Sequence, residues 1–228
     1  MSSKLSSLSA RSIVYYEARV SFGTTVLLAV LGLPACALIS ALNWRDVPAA
    51  FAQVMEVFEL GLPLVAGIAS AHLMSVEREE RFDALRDSYP EPIWHVPLLR
   101  TLGALELTLL CLLSGLISFR VVYGEFDMRL IVLAACPPAI YLSGLALLIG
   151  NLTQNVWAAS AAVIGYWAFE FQLGGTQTQT LFLFDKTHPL NGVNYDVNRL
   201  LLIAVGGGFM LANYAVYRLR RRGVILAR

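Results

Sequence analysis

From Val26 to the C-terminus, long apolar runs alternate with short polar breaks. A helix needs about 20 predominantly apolar residues to cross the hydrocarbon core, and six runs come near that length: about 21–42, 51–74, 98–120, 129–151, 156–172 and 199–217. "NWRDVPA" separates the first two, "YGEFDM" the third and fourth, and "NLTQN" the fourth and fifth. A longer polar stretch, "GGTQTQTLFLFDKTHPLNGVNYDVN", separates the last two. The pattern predicts an all-α membrane protein with six transmembrane helices, forming a single transmembrane domain over residues 1–228. Pro137-Pro138 predict a kink in the fourth span, and Gly206, Gly207 and Gly208 predict close packing of the last. Residues 4–20 mix Leu5, Leu8, Tyr16 and Val20 with Arg11, Glu17 and Arg19 and predict an amphipathic N-terminal interfacial helix. "TLFLF", at 180–184, is apolar but too short to span, so it needs protein around it.

Composition agrees with the pattern. The chain is 57% hydrophobic and 14% charged, where a soluble domain carries about a quarter charged residues. A net charge of +1 gives no footprint for nucleic acid. Cys36, Cys111 and Cys136 lie inside apolar runs without metal-ligand or redox spacing, and no secretory signal peptide is expected. Lys4, Arg11, Arg19, Arg78, Arg81, Arg86, Arg100, Arg218, Arg220, Arg221, Arg222 and Arg228 fall on one side of a six-span plan. Arg45, Arg120, Arg129, Lys186 and Arg199 fall on the other. The asymmetry predicts cytoplasmic termini and an external 173–198 loop, and the expected location of this multi-pass protein is the cell membrane, a bacterial plasma membrane.

One cytoplasmic block is unlike the rest. "EREERFDALRDSYPE", Glu77 to Glu91, holds six acids and three bases. It contains no Gly, and Pro appears only at Pro90, which with Pro92 stops a short helix over 77–90. Phe82, Leu85 and Tyr89 make one apolar stripe, supported by Glu77–Arg81 and Asp83–Arg86 pairs. An acidic helix is repelled by an anionic inner leaflet, whereas an apolar stripe rimmed by charge suits a protein pocket.

With that block between the second and third of six spans, the chain resembles the type-2 ABC transporter permeases. The residues that carry the resemblance are the acids Glu77, Glu79 and Glu80, then Leu85, then Ser88-Tyr89-Pro90 leading into the third span. Arg81-Phe82 stand where the family has Gly-Thr. The uncharged turn in "LLIGNLTQNVWAAS" is similar to the family's tight turn between the fourth and fifth spans. The resemblance implies that 77–90 is a coupling helix seated in a separate ABC ATPase subunit. Phe82, Leu85, Tyr89 and Pro90 would then be docking residues, and Glu77, Glu79, Glu80 and Asp83 would meet basic partner residues. It also implies a second permease copy or a similar permease, membrane lipids around the bundle, and a 173–198 loop that re-enters the outer leaflet. The resemblance further implies export of an amphipathic or hydrophobic substrate (peptide, lipid or drug). No cofactor is expected in this chain, since ATP and Mg²⁺ would bind the ATPase.

The chain has no Walker A motif, no His-Glu-x-x-His, no Gly-x-Ser-x-Gly and no Cys-x-x-Cys, so it is expected not to be an enzyme itself. His72, His95 and His188 are scattered. Glu56, Glu59, Glu106 and Glu170 fall inside predicted spans, where an ionised carboxylate must face protein or water. Glu56 and Glu59, three residues apart, are expected on one face. Arg120 is expected to pair with Glu59 or Glu170, and Glu56, Glu59, Arg120 and Glu170 form either the lining of a translocation path or an interhelical contact that fixes packing. Glu106 is expected nearer the cytoplasmic side with a partner of its own. Two other functions are compatible with the sequence: an ion-coupled secondary transporter using the membrane glutamates, and a non-transport anchor or sensor module.

Overall fold

A computed structural model describes residues 24–43, 47–73 and 95–221. These residues fold into six helices: α1 (Thr24–Asn43), α2 (Val47–His72), α3 (His95–Tyr123), α4 (Met128–Thr153), α5 (Val156–Leu173) and α6 (Tyr195–Arg221). Each overlies one predicted span, and no strand occurs among the described residues. Four stretches are long and apolar enough to cross a membrane: Phe51–His72, His95–Tyr123, Met128–Thr153 and Tyr195–Arg220. α5 is 18 residues long and carries Glu170 and Gln172 in its last turn, which lowers its hydropathy. The amphipathic segment 4–20 and the acidic block 77–90 lie outside the described residues.

Local chemistry sets the turns between helices. Asp127 caps α4 by accepting from the Arg129 N–H, and Asn155 caps α5 by accepting from Trp157 and Ala158. Gln154, between them, takes the left-handed conformation that ends α4, and Gly174 does the same for α5. α4 runs unbroken through Pro137-Pro138. The two missing donors leave the Leu133 and Ala134 carbonyls without their usual helical partners, but the helix is held by neighbours on several sides. α4 is the central helix, packed most extensively against α2 and α6 and also against α3 and α5.

Small residues allow that centrality. A Cβ on Gly144 would stand 2.4 Å from the Gly206 carbonyl oxygen, and one on Gly206 would stand 2.8 Å from the Tyr141 Cα. The α4 and α6 backbones therefore touch, as apolar helices do in lipid, where close van der Waals contact replaces the hydrophobic effect. Seven residues further on, Asn151 Nδ2 donates to the Asn213 carbonyl at 3.0 Å and to its side chain at 2.8 Å. The two helices thus run parallel. α2 runs antiparallel to α3, with Phe58 against Phe119 and Leu73 against Gly103. α2 also runs antiparallel to α5, where Trp167 donates to the Leu60 carbonyl and Gly67 meets Val163. The end of α2, the start of α3, the α4–α5 turn and the end of α6 therefore share one end of the bundle. The 74–94 connection leaves from that end.

Candidate functional site

The α5–α6 connection does not extend away from the bundle but folds back into it. Phe182, Leu183 and Phe184 are fully buried, the surroundings that the apolar "TLFLF" pattern requires. Phe184 meets Trp167 and Phe171 edge-on at 5.9 and 6.4 Å, and Phe182 lies 5.6 Å from Phe184. A 3-10 turn at Gln179–Leu181 leads in. Non-helical backbone inside a membrane bundle needs hydrogen-bond partners that a regular helix would supply internally. The flanking helices provide them through side chains.

Glu59, wholly buried in α2, accepts the Lys186 N–H on Oε1 at 3.0 Å and the Thr187 N–H on Oε2 at 2.7 Å. Arg199, four residues into α6 and also buried, donates through Nη2 to Glu59 Oε1 and through Nη1 to the Leu183 carbonyl at 3.0 Å. Its guanidinium stacks over Tyr195 at 4.7 Å, and the Lys186 ammonium lies 5.4 Å from the same ring. Asn198 donates to the Thr180 and Phe182 carbonyls at 3.0 and 2.9 Å, and Asp185 accepts the Leu190 N–H at 3.1 Å. Three side chains, Glu59, Asn198 and Arg199, thus clamp one stretch of irregular backbone from two helices. The ion pair is neutral overall and both carboxylate oxygens accept hydrogen bonds, which offsets part of the cost of burying the pair.

Glu170 lies at nearly the same height. Glu59 is about 20 Å from the α2 end at His72, and Glu170 about 21 Å from the α5 start at Val156. Glu170 is 1% exposed. Its Oε2 accepts from Thr178 Oγ1 at 2.9 Å, while Oε1 makes no hydrogen bond of good geometry. The Tyr166 hydroxyl and the Leu183 backbone flank the carboxyl, and the Tyr166 ring packs on Tyr141 at 5.2 Å. Unlike Glu59, Glu170 has no ion pair among the described residues. One tier of the bundle therefore holds an ion-paired carboxylate and, beside it, a carboxyl group with no ion pair among the described residues.

The expected partners change accordingly. Arg120 joins neither Glu59 nor Glu170. It sits in the last turn of α3 and pairs with Glu125 in the following turn at 3.0 Å, where both are solvent-accessible. The cation for Glu59 comes from Arg199, which hydropathy had placed at the edge of the sixth span. Glu56 and Glu59 part company as well. Three residues rotate a helix by about 300°, and Glu56 falls on the exposed side while Glu59 turns inward. Glu106 is also exposed. Of the predicted path residues, the structure brings only Glu59 and Glu170 into one tier. Asn198, Arg199, Asp185 and Thr178 were missed. The signal available was "YDVNRLLL", an Asn-Arg pair opening an apolar helix directly after an apolar pentapeptide that needed partners.

No three His, Cys, Asp or Glu side chains among the described residues are grouped to hold a metal. Comparison with protein-family models, curated proteins and solved structures finds no match to this chain.

Proposed function

We propose that the chain is the permease subunit of an ATP-driven ABC exporter, moving an amphipathic or hydrophobic substrate and powered by a separate ATPase. Six helices cross the bacterial plasma membrane with both termini cytoplasmic, and 77–90 is the coupling helix. The observation that carries this reading is where the acidic block emerges. The 74–94 connection leaves the bundle at the end that also bears the tight α4–α5 turn and Arg218, Arg220 and Arg221 at the end of α6. That end matches the cytoplasmic side by the excess of Lys and Arg, so a soluble motor would reach both connections at once. Phe82, Leu85, Tyr89 and Pro90 dock, and Glu77, Glu79, Glu80 and Asp83 meet its basic residues. ATP-driven closure of two ATPases then moves a pair of permeases between inward and outward states. The segment around Phe182–Thr187 lies at the other end of the pathway as an inset plug, with Glu59 and Glu170 beside it.

The test is a variant carrying Phe82→Ala with Leu85→Ala. The chain is expected to reach the membrane at normal level, with co-purification of its ATPase reduced about tenfold or more, since buried aromatic and aliphatic anchors dominate such interfaces. Undiminished co-purification together with undiminished transport would exclude 77–90 as the coupling element.

A further inference from the structure

Glu106 stands apart from the tier just described. It lies within α3, exposed, in a run of exposed leucines: Leu98, Leu102, Leu105 and Leu109, then Leu113 and Ile117. The first four recur at four-three-four spacing, the seam of a left-handed helix pair. Along the axis, Glu106 is about 12 Å from Leu98 and about 17 Å from Ile117. A carboxylate so placed in a membrane reaches neither interface and needs a cation or donor from protein.

This chain's described helices do not supply one. Gly115, whose face packs on Leu33 of α1 and Phe58 of α2, lies nine residues after Glu106. Nine residues are two and a half turns, so Glu106 points directly away from α1 and α2. The groove between α3 and α6 is lined on the α3 side by Pro97 and Thr101, about 180° and 140° round the helix from Glu106, and by Leu98, where the seam meets the groove about 12 Å along the axis from Glu106. The exposed basic side chains among the described residues are Arg120, Arg129, Lys186 and Arg218, all at helix ends or in the α5–α6 connection. A second copy has the same surface. A parallel contact between two copies through this seam would hold both Glu106 side chains at one depth on its flanks, with no cation among the described residues at that depth for either.

We propose that the Glu106 face of α3 docks a transmembrane helix of a different protein, one that presents a Lys or Arg at the depth of Glu106. The leucine seam gives the packing and the ion pair gives the register and the choice of partner, because mismatched charge at such a contact excludes wrong partners. The docking surface is separate from the 77–90 block and does not depend on the exporter reading.

The test uses the full chain in membranes of its native host, with a photo-crosslinking residue in place of Leu109 and mass spectrometry of the adduct. The expected adduct joins this position to an apolar span of another protein, within one helical turn of a Lys or Arg. Glu106→Lys should reduce its yield at least about tenfold, and exchanging the partner's basic residue for Glu should restore it to within about threefold. Glu106→Leu, a side chain at home in lipid, should give the same loss of adduct with undiminished thermal stability, which separates lost docking from misfolding. Adducts confined to lipid, to a second copy or to residues 1–23 of the same chain would overturn the proposal. So would a yield indifferent to Glu106→Lys.

Discussion

Replacing Arg199 by Met isolates what holds the inset segment in place. The substitution keeps an unbranched side chain of similar reach but removes the charge. Glu59 is left wholly buried, still bonded to the Lys186 and Thr187 N–H groups but with no cation. Because neither partner of the pair is appreciably exposed, solvent screening does not reduce the effect. Breaking one side of a buried pair costs about 3–5 kcal/mol. Loss of the bond to the Leu183 carbonyl adds about 1 kcal/mol, so the total is about 4–6 kcal/mol. At about 2–4 °C per kcal/mol for a chain of this length, the melting temperature should fall by roughly 8–24 °C. Tryptophan fluorescence during thermal unfolding in detergent is the assay, since Trp167 bonds α2 and packs on Phe184. Glu59→Gln alone should also destabilise, because an amide cannot accept both N–H groups while facing a guanidinium. The double variant should be less unstable than the sum of the two singles by about 2 kcal/mol, since it leaves no unpaired charge. A melting temperature for Arg199→Met within about 2 °C of the parent, or strict additivity of the two singles, would refute the clamp.

Glu170→Gln replaces a buried carboxyl group that has no ion pair among the described residues, so it should leave the melting temperature unchanged or raised, opposite in sign to Glu59→Gln. If Glu170 lines the substrate path, transport falls in that same variant, and normal transport would remove it from the path. Gly144→Ala forces a methyl group into the Gly206 carbonyl. It should destabilise by about 2 kcal/mol or more through overpacking, while Gly207→Ala, with nothing within 4 Å, should be neutral by the same thermal assay.

Hydropathy and charge together carried much of the outcome. All six helices overlie the predicted apolar runs, and four of them hold stretches long and apolar enough to cross a membrane, where a backbone has only internal partners and must be helical. The turn chemistry at Asp127, Asn155 and Gly174 is likewise local and readable from residue type. The partners of the ionisable groups were not readable. Whether Arg120 or Arg199 neutralises Glu59 depends on how α2 and α6 are offset along the bundle, and both pack on α4, with Gly144–Gly206 and Asn151–Asn213 fixing α6 against it. Nor does spacing along α2 tell which of Glu56 and Glu59 turns inward when both stand in equally apolar sequence. The amino-acid order determined a bundle of six helices with an apolar fragment that had to be buried. The tertiary packing alone decided that this fragment would sit beside Glu59, Asn198 and Arg199, because irregular backbone in a dry interior is stable only where neighbouring helices bring donors and acceptors to it.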